Sequence, residues 1–395
     1  MRVLVATVVH HPADARIYFR QIRALLEAGH FVTYIAPMEE PGKPDTERLR
    51  PHLTTVSIPR AVGKRRLGAL RAARVAIARH APQADLLLVH DPELLLALPP
   101  RRRRPPTVWD VHEDTAAALT TKAWLPAFLR PVVAGGVIAA ERLAERRLHL
   151  ILAEAGYNAR FAGTHPVVPN TTYVPETAAP PSGPRRVIYI GWLSPDRGSA
   201  EMTVLGRLLA PHGISVELVG QADAAARAHI EAAGEAAIPR GDTPPPGGTT
   251  PVPPGPYPPA GVHWHGFVPN EQALALADGA LAGLSLLQDE ANFRHSMPTK
   301  VIEYMARGLP VITTPLPLAV ELVEPAGCGF VVPFNDPAAA CEAILKLDAD
   351  PDLRMAMGER GHEAALRDQG WPKAAKDFVA QLEQWARPLR RLARR

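Results

Sequence analysis

Two stretches far apart in the sequence have the same pattern. Residues 1–7 (MRVLVAT) form a short apolar run before the turn-rich HHPAD, and residues 185–191 (RRVIYIG) form another before WLSPDRG. Each pattern is typical of the first buried strand of a parallel sheet, followed by a loop and a helix. Because 395 residues are enough for two domains of about 150–200 residues each, the repeat predicts two sheets in two domains.

Strand-like and helix-like segments alternate behind both of these runs. Further strands are predicted at residues 31–36, 53–58, 85–89, 107–111 and 150–153, and then at 186–190, 214–219, 262–267, 280–286, 310–313 and 329–332. Helices are predicted at residues 16–29, 63–80 and 137–149, and then at 199–211, 223–233, 271–278, 298–307, 337–347, 352–368 and 373–387. This alternation predicts an α/β fold with two doubly wound, Rossmann-like domains.

Proline-rich segments indicate where the domains end. Residues 175–185 (PETAAPPSGPR) are predicted to link an N-terminal domain, 1–174, to a C-terminal domain, 186–370, with a last helix in 371–395. A second stretch rich in Pro and Gly, 243–261, is interpreted as a surface excursion rather than an extended ligand for another protein.

The composition excludes several classes of protein. Hydrophobic residues make up 47% and charged residues 21%, a balance that argues against general disorder. With two cysteines, Cys328 and Cys341, and no C-x-x-C unit, neither a disulfide framework nor a cysteine zinc site is expected. The apolar start is too short for a signal peptide, and residues 131–140 are too few to cross a bilayer. We therefore expect a cytoplasmic protein without a transmembrane helix.

Charge is distributed unevenly along the chain. Residues 1–184 hold 24 Lys and Arg against 16 Asp and Glu, residues 185–370 hold 13 against 22, and residues 371–395 hold 7 against 2. The basic excess has two interpretations, a soluble Arg-rich surface or peripheral contact with the anionic inner face of a membrane. The basic runs in question are residues 64–66, 101–104 and 390–395. No aromatic-interleaved basic groove or helix-turn-helix pattern accompanies them, so nucleic acid is not an expected partner.

Polar residues follow three predicted strands of the first half. They are His10–Asp14, His90–Glu93 (HDPE) and Asp110–Asp114 (DVHED). In open α/β sheets, ligands bind beyond the carboxyl ends of the strands. One His in such a place is more often a structural group, whereas three clusters that converge on one edge favour a binding site.

The second half has two segments suited to phosphate. Residues 191–198 (GWLSPDRG) follow a strand and open a helix, and Arg197 there suits a diphosphate. The G-x-G-x-x-G dinucleotide fingerprint is missing, and a plain turn is the alternative interpretation. Further along, Pro298 suits the first turn of a helix that carries Lys300 and Glu303. A Lys near a helix N-terminus can neutralise phosphate, and a Glu one turn later can accept hydrogen bonds from both hydroxyls of a ribose.

These motifs, in this order, resemble the retaining, nucleotide-sugar-dependent glycosyltransferases of family 4 (glycosyl transferases group 1), which have the GT-B fold. The matching stretches are 11–37, 86–95, 109–114, 187–198, 214–220, 265–287, 298–314 (PTKVIEYMARGLPVITT) and 324–339 (EPAGCGFVVPFNDPAA). The resemblance implies two Rossmann-like domains that face each other across a cleft, the first on the acceptor side and the second on the donor side. It also implies a C-terminal helix that crosses back to the N-terminal domain. The implied acceptor is a hydroxyl on a glycan, a lipid-linked molecule or a small natural product.

The resemblance also assigns roles to individual residues. It implies that Glu303 holds the donor ribose, that Arg197 and Lys300 neutralise the diphosphate, and that His112 contacts the transferred sugar. The residues expected to act in catalysis are therefore His112, Arg197 and Lys300. The other donor-binding residues are expected to be Gly191, Trp192, Phe267, Val268, Pro298 and Thr299, with the backbone of 267–268 at the nucleobase. The acceptor-side residues are expected to be His10, Asp14, Arg16, Asp91 and Glu113.

Two positions depart from the family pattern. His295 stands where many members have a glutamate that orients hydroxyls of the donor sugar, and since some branches lack that glutamate, the identity of the sugar is open. Trp192 stands where many members have a phosphate-binding arginine, which leaves Arg197 and Lys300 to supply the positive charge. The segment 348–352 (DADPD) is interpreted as a helix cap rather than as a metal-binding D-x-D motif.

The implied reaction needs neither a metal nor another cofactor beside the nucleotide-diphosphate sugar, because Arg and Lys are expected to neutralise the diphosphate. Retention in this family is thought to proceed through front-face attack, in which the leaving diphosphate takes the proton of the acceptor hydroxyl. The protein then supplies positioning and electrostatic stabilisation. Two alternatives stay open, a sugar-nucleotide epimerase of the same architecture and a catalytically silent sugar-nucleotide-binding subunit. The donor base, the acceptor and the oligomeric state are likewise open.

Overall fold

The computed structural model describes residues 1–39, 49, 51–112, 130–178, 185–232, 261–294 and 296–392. The chain divides into two units, one formed by Met1–Asn170 and Pro372–Arg395 and the other by Thr171–Trp371. The second unit starts before the proline-rich linker because Thr172 is paired with the end of that unit. Thr172 forms a β-bridge with Gly370, and its carbonyl accepts a hydrogen bond from the backbone N–H of Trp371 at 2.8 Å.

The first unit is built on a six-stranded parallel sheet. Its strands are β1 (Arg2–Ala6), β2 (Phe31–Ala36), β3 (Leu53–Ser57), β4 (Leu86–Val89), β5 (Thr107–Val111) and β6 (His149–Leu152). They lie in the order β3-β2-β1-β4-β5-β6, and Val3 of β1 is in register with Val32 on one side and Leu86 on the other. A π-helix (Ala15–Ile22) leads into α1 (Arg23–Glu27), and the next helices are α2 (Arg66–His80) and α3 (Arg130–Glu145).

The second unit is built on a sheet of the same kind. Its strands are β7 (Arg186–Ile190), β8 (Ser215–Val219), β9 (Val262–Trp264), β10 (Ala282–Ser285), β11 (Val311–Thr313) and β12 (Gly329–Val331). Their order, β12-β11-β10-β7-β8-β9, is the order of the first sheet when strands are counted from the start of the unit. The helices are α4 (Ser199–Leu209), α5 (Ala224–Ala232), α6 (Asn270–Ala277), α7 (Thr299–Ala306), α8 (Pro317–Ala326), α9 (Pro337–Ala349) and α10 (Pro351–Asp368). A last helix, α11 (Trp371–Leu392), continues into the first unit.

Apolar side chains fill the space between each sheet and its helices. In the first unit, α2 buries Ala69, Ala73 and Ile77, which recur every four residues and so share one face of the helix. In the second unit, Leu205 and Leu209 of α4 belong to the core that the strands line. Strands buried on both faces are continuous apolar runs, which is why LLLV of β4 and VIYI of β7 were readable as strands.

The predicted fold class is confirmed, since both sheets are parallel and each has the doubly wound strand order. All twelve predicted strands are present, with small differences at their ends. Helix α8 was not predicted because three prolines, Pro315, Pro317 and Pro325, hide its pattern. Pro317 is tolerated at the first helical position, where no N–H is needed, and Pro325 lies in the last turn.

Several further expectations concern local structure. The helix predicted at 16–29 opens with a π-helix, Ala15–Ile22, and α3, predicted at 137–149, covers Arg130–Glu145 of the described residues. Asp350 accepts a hydrogen bond from the backbone N–H of Leu353 at 2.9 Å, so the 348–352 segment does cap a helix. The predicted excursion 243–261 lies almost entirely outside the described residues. No helix among the described residues is both long and apolar enough to span a membrane.

Candidate functional site

The order of the strands reverses between β1 and β4 in the first unit and between β7 and β10 in the second. In doubly wound sheets, ligands bind outside the carboxyl ends of the strands at such a reversal. We call these two places the first and the second switch point. The chain that leaves β1 and β4 carries His10 and Asp91 to the first, and the chain that leaves β7 carries Gly191 to the second.

At the first switch point, the carboxylate of Asp91 gathers the turn that follows β1. It accepts hydrogen bonds from the backbone N–H groups of Val8 and Val9. It also accepts hydrogen bonds from the Thr7 hydroxyl at 2.9 Å and from Nδ1 of His10 at 2.6 Å. Burial alone would raise the pKa of Asp91, but the hydrogen bonds and the His10 charge hold it well below its usual range. Asp91 is therefore a buried carboxylate that positions His10.

Asp110, near the end of β5, is a second buried carboxylate of this unit. Arg16 donates to both of its oxygens at 2.7 Å, from Nε and from a terminal nitrogen. Gln21 donates to Oδ2 at 2.8 Å, and Nδ1 of His90 lies 3.2 Å from the same oxygen. Burial would raise the pKa of Asp110, but the Arg16 charge and these contacts hold it well below its usual range. The pair therefore ties the helix at 15–22 to the sheet.

Two of the expected acceptor-side residues have clear local partners. Arg16 is buried, and beyond Asp110 it donates to the Val168 carbonyl and to the Asn170 side chain, each at 2.9 Å. Asp14 accepts hydrogen bonds from the backbone N–H groups of Arg16 and Ile17, also at 2.9 Å, and so caps the helix that starts at Ala15. Both side chains therefore hold the surroundings of His10 in place.

His10 and His112 meet ring to ring at this edge of the sheet. Their Nε2 atoms lie 2.9 Å apart, and Nδ1 of His112 lies 3.1 Å from the backbone carbonyl of Asp110. Burial lowers the pKa of His112 to about 4, and the neighbouring His10 adds to the effect. His112 is therefore a neutral imidazole at neutral pH.

One group of the described side chains has the composition of a metal site, namely His90, Asp110 and His112, whose ligand atoms lie within 4.8 Å of one another. Both Asp110 oxygens already receive N–H groups of Arg16, and the fixed charge of that guanidinium would repel a cation. Nε2 of His112 is in turn in contact with His10. The donor set is that of an ion-pair network and does not fit a bound cation.

At the second switch point, Gly191 follows β7 with a φ of 142°, a conformation that favours glycine. A β-carbon at this position would lie 3.5 Å from the Tyr189 hydroxyl and 3.6 Å from Cε of Lys300. The Lys300 ammonium donates to the Tyr189 hydroxyl at 3.1 Å and lies 4.3 Å from the centre of that ring. Tyr189 donates in turn to the Trp192 carbonyl at 2.7 Å. The glycine keeps the loop backbone close to a buried lysine.

The charge of Lys300 is poorly solvated. Burial lowers its pKa to about 7, and the nearby Arg197 adds to this effect, while Glu303 opposes it. Burial raises the pKa of Tyr189 to about 12, so this side chain stays a neutral hydroxyl. An anionic ligand beside Lys300 would favour its protonated form, because an opposite charge offsets the cost of burial.

Arg197 lies in the 3₁₀ turn that leads into α4, with its guanidinium 5.6 Å from the centre of the Phe293 ring. Gly198, the next residue, has a φ of 82°, and a β-carbon there would collide with the Leu286 carbonyl. This glycine therefore lets the loop after β7 pack against the chain that leaves β10. Arg197 is thereby held at the second switch point, close enough to Lys300 for the two positive charges to interact.

Glu303 lies one helical turn after Lys300 in α7, and both side chains are buried. Pro298 occupies the N-cap position of this helix, without a side-chain hydrogen bond to it, and Thr299 is its first residue. Asn270, the first residue of α6, donates its side-chain N–H to Oε1 of Glu303 at 3.4 Å. A carboxylate and an amide thus stand together beside the two cations.

The segment just before α6 is the one expected to meet a nucleobase. Phe267 is 41% exposed, whereas Val268 packs against the core of the unit. Since Asn270 contacts Glu303, this segment lies on the Glu303 side of the site. Trp192, on the loop after β7, is 46% exposed.

Within each unit, most of the expected site residues are brought together. In the first unit, one chain of contacts joins Asp91, His10 and His112. In the second unit, Tyr189 is in contact with Lys300 and Trp192 and lies beside Gly191. Glu113 and His295 lie outside the described residues.

Four contributing residues were not singled out from the sequence. They are Thr7, Gln21, Tyr189 and Asn270. Tyr189 was read as a strand residue of the core, and the only signal was a hydroxyl within an otherwise aliphatic strand. For the other three, the contacts that bring them into the site are made with Asp91, Asp110 and Glu303, each more than thirty positions away in the sequence.

Two doubly wound units of this strand order define the GT-B class of fold, and comparisons with known proteins agree. Residues 258–364, about a quarter of the chain, match the family described as Glycosyl transferases group 1. That match includes Phe267, Asn270, Lys300 and Glu303. Among curated proteins, no sequence matches the chain significantly.

Solved structures of glycosyltransferases match over nearly the whole chain. Sucrose-phosphate synthase from Thermosynechococcus elongatus has a TM-score of 0.69 at 18% identity, with 97% of this chain and 98% of that one covered. Anabaena HepE in complex with UDP and glucose has a TM-score of 0.68 at 14% identity, with 97% and 100% covered. WaaG, a glycosyltransferase involved in lipopolysaccharide biosynthesis, has a TM-score of 0.62 at 15% identity, with 96% and 98% covered. The chain therefore has the GT-B fold.

Proposed function

We propose that the protein is a glycosyltransferase that moves a sugar from a nucleoside-diphosphate sugar to a hydroxyl of an acceptor. One observation carries the proposal: Lys300, a buried cation with its pKa lowered to about 7, lies beside Gly191 at the second switch point. Glu303 offsets only part of the cost of burying this charge, since the pKa of Lys300 stays lowered, and a diphosphate would supply further counter-charge. The match of 258–364 to Glycosyl transferases group 1 supports the same conclusion.

The donor is assigned to the second unit. Lys300 and Arg197 would neutralise the diphosphate, and Glu303 would accept hydrogen bonds from the ribose hydroxyls. Phe267 and Val268 would meet the nucleobase through their backbone. Anabaena HepE has been solved in complex with UDP-glucose, so a UDP-sugar is the first donor to test on this chain. Gly191, Trp192, Pro298 and Thr299 complete the proposed donor site.

The acceptor side is assigned to the first unit. His112 would contact the transferred sugar, and His10, Asp14, Arg16 and Asp91 would border or support the acceptor. We propose retention of configuration by front-face attack, as in family 4. The leaving diphosphate oxygen then takes the proton of the acceptor hydroxyl while the new glycosidic bond forms. No metal or further cofactor is needed for this step, because Arg197 and Lys300 carry the compensating charge.

The test is turnover of the full-length protein with a panel of nucleoside-diphosphate sugars, with and without a mixture of hydroxyl acceptors. Release of nucleoside diphosphate that depends on an acceptor supports the transferase. An epimeric donor formed without acceptor would identify a sugar-nucleotide epimerase, and binding without turnover would identify a silent binding subunit. Lys300→Met should abolish acceptor-dependent release. Lys346→Met is the matched control, because Lys346 is an exposed lysine on α9 of the same unit.

We further propose peripheral contact of the first unit with an anionic membrane on the cytoplasmic side. Residues 62–68 are all exposed and carry Lys64, Arg65 and Arg66 between two apolar side chains. Those two, Val62 and Leu67, are 57% and 74% exposed. Cations beside exposed apolar groups suit a surface of anionic headgroups. Such contact fits a lipid-linked acceptor in the synthesis of a glycan.

A further inference from the structure

We propose that His10 and His112 share one proton between facing Nε2 atoms, and that His10, held by Asp91, acts as a positioning residue that fixes the tautomer of His112. The number of hydrogens on the two rings follows from the contact geometry, and the bearing of this proton state on catalysis rests on the proposed function. The chain of contacts runs from Asp91 through His10 and His112 to the backbone carbonyl of Asp110.

The two ends of this chain can only accept hydrogen bonds. Oδ1 of Asp91 belongs to an ionised carboxylate, and the other end is a peptide carbonyl oxygen. Nδ1 of His10, 2.6 Å from Asp91, must therefore carry a hydrogen. Nδ1 of His112, 3.1 Å from the Asp110 carbonyl, must carry one as well.

The contact in the middle fixes the remaining hydrogen. Two Nε2 atoms 2.9 Å apart form a hydrogen bond only when one of them is protonated and the other offers its lone pair. The two rings then hold three hydrogens on four nitrogens. That count corresponds to one imidazolium and one neutral imidazole.

The surroundings decide which ring is charged. Nδ1 of His10 lies 2.6 Å from the Asp91 carboxylate, whereas Nδ1 of His112 lies 3.8 Å from Oδ2 of Asp110, an oxygen that already accepts from Arg16. His112 is also the more buried ring, with a side-chain exposure of 10% against 18% for His10. Burial lowers the pKa of His112 to about 4. His10 is therefore the imidazolium, and His112 carries its hydrogen on Nδ1 with the Nε2 lone pair turned towards His10.

The charges on the surrounding elements favour this single-proton state. Asp14 caps the 15–22 helix, and Arg16 on that helix is paired with Asp110 of β5. After β4 stand Asp91, paired with His10, and His90, which lies against Asp110. The charge of Arg16 is already neutralised by Asp110. Asp14 and Asp91 therefore interact mainly with the two histidines, and removal of the shared proton from His10 and His112 would leave these two carboxylates without a counter-charge.

Addition of a second proton is also unfavourable. It would place two imidazolium ions at a 2.9 Å contact, so the state with one proton ends on the acid side only near the His112 pKa of about 4. If the protein transfers sugar, a substrate hydroxyl that replaces His10 at this position would donate to Nε2 of His112. His112 is thus presented as a hydrogen-bond acceptor.

The test uses the full-length protein with ¹⁵N-labelled histidine and no substrate, so its outcome does not depend on any enzymatic activity. His10→Gln and His112→Gln assign the two rings in ¹⁵N spectra, with His212→Gln, an exposed position of the second unit, as control. At pH 7 we expect an imidazolium at His10 and a neutral ring with the hydrogen on Nδ1 at His112. Two neutral rings, two charged rings, or a His112 with its hydrogen on Nε2 would each overturn the proposal.

Two variants of His10 separate positioning from mere packing. Glutamine places its amide N–H near the position of Nε2, so His10→Gln should keep the His112 tautomer although no charge remains. Asparagine reaches only the position of Nδ1, so in His10→Asn the Asp110 carbonyl alone holds the hydrogen on Nδ1 of His112, and a measurable fraction of the Nε2–H tautomer should appear. Identical tautomers in both variants would show that His10 does not position His112.

Asp91→Asn tests the counter-ion. Loss of the carboxylate should lower the pH at which His10 gives up its proton by at least about one unit. An unchanged midpoint in a folded variant contradicts the role of Asp91. Asp91 also accepts hydrogen bonds from the backbone of Val8 and Val9, so this variant can fail to fold. In that case the His10→Gln and His10→Asn variants still test whether His10 positions His112.

Discussion

The two units have the same strand order, yet their switch points hold opposite chemistry. At the first, buried carboxylates pair with Arg16 and with imidazoles, and Asp91, Asp110 and His90 are almost completely buried. At the second, Gly191 and Gly198 let the loop backbone pack closely beside Lys300 and Arg197. No carboxylate among the described residues forms an ion pair with either cation. Topology therefore sets where a site lies, and the residues that leave the strands set which ligand it suits.

This comparison has a physical basis in how each turn is held. The turn after β1 has no glycine and is fastened by the Asp91 carboxylate, which accepts its N–H groups. The turn after β7 uses Gly191 and Gly198 at positive φ, carries Arg197 and lies beside Lys300 of α7. The first arrangement pairs its charges within the protein, whereas in the proposed function the second receives the diphosphate of the donor.

The largest effect is expected when the internal network of the first unit is broken. Asp110→Asn leaves the buried Arg16 without its counter-charge and should lower the free energy of unfolding of this unit by about 3–5 kcal/mol. Urea-induced unfolding of the full-length protein measures this loss of stability. Asp289→Asn is the control, because its partner Arg294 is exposed and the midpoint should hardly move. A first unit as stable as before would contradict the network.

A second prediction asks whether the cations of the second unit act on the leaving group. Arg197→Ala and Lys300→Ala should each lower kcat about 10²–10³-fold, because the charge on the leaving diphosphate grows in the transition state. Nucleoside binding should change less. Steady-state kinetics with a competent donor and acceptor give both quantities, with Lys346→Ala as the control. Near-normal kcat in both variants would place the diphosphate elsewhere.

A third prediction concerns the carboxylate of the second unit. Glu303→Ala removes a charged acceptor from the ribose hydroxyls and should weaken nucleoside diphosphate binding by about 1.5–3 kcal/mol. Isothermal titration calorimetry measures the affinity, and Glu321→Ala, at an exposed position of α8, is the matched control. Unchanged affinity in a folded Glu303 variant would show that Glu303 does not bind the ribose.

A fourth prediction follows from the lowered pKa of Lys300. The bound diphosphate favours the protonated lysine, so the complex has a higher pKa than the free protein, where it is about 7. Affinity is then greatest below pH 7 and falls, by up to about tenfold per pH unit, as pH rises above 7 towards the pKa of the complex. Calorimetry at pH 8 in buffers of different ionisation enthalpy should reveal proton uptake. Lys300→Met should abolish it, and persistent uptake in that variant would assign the proton to another group.

The smallest effect is expected at the exposed basic surface of the first unit. Each Lys or Arg near anionic headgroups contributes about 1 kcal/mol. Co-sedimentation with vesicles containing phosphatidylserine should therefore be salt-sensitive and weaken when residues 64–66 are changed to Ser. Neutral vesicles serve as the control. Absence of binding even at low salt would favour a soluble acceptor and leave the basic surface without a membrane role.

Much of the second switch point could be predicted from sequence because its signals are local. Gly191, Arg197, Lys300 and Glu303 stand in two short motifs, and each motif is read within one strand end or one helix turn. Tyr189 was not predicted as a site residue, because a tyrosine within a buried strand is interpreted as part of the core. Only the structure shows that its hydroxyl contacts Lys300. The length of β9 and the presence of α8 were likewise obscured by the proline- and aromatic-rich context.

The sequence by itself determined the alternation of strands and helices and the polar residues at each strand end, because periodicity and turn chemistry are local properties. Only the tertiary structure decided which of those residues meet. His10 and Asp91 are 81 positions apart, and Arg16 and Asp110 are 94 apart. They meet because parallel strand order sets β1 beside β4 and β4 beside β5. Their proton states depend on burial and on these partners, and both exist only after the sheet has formed.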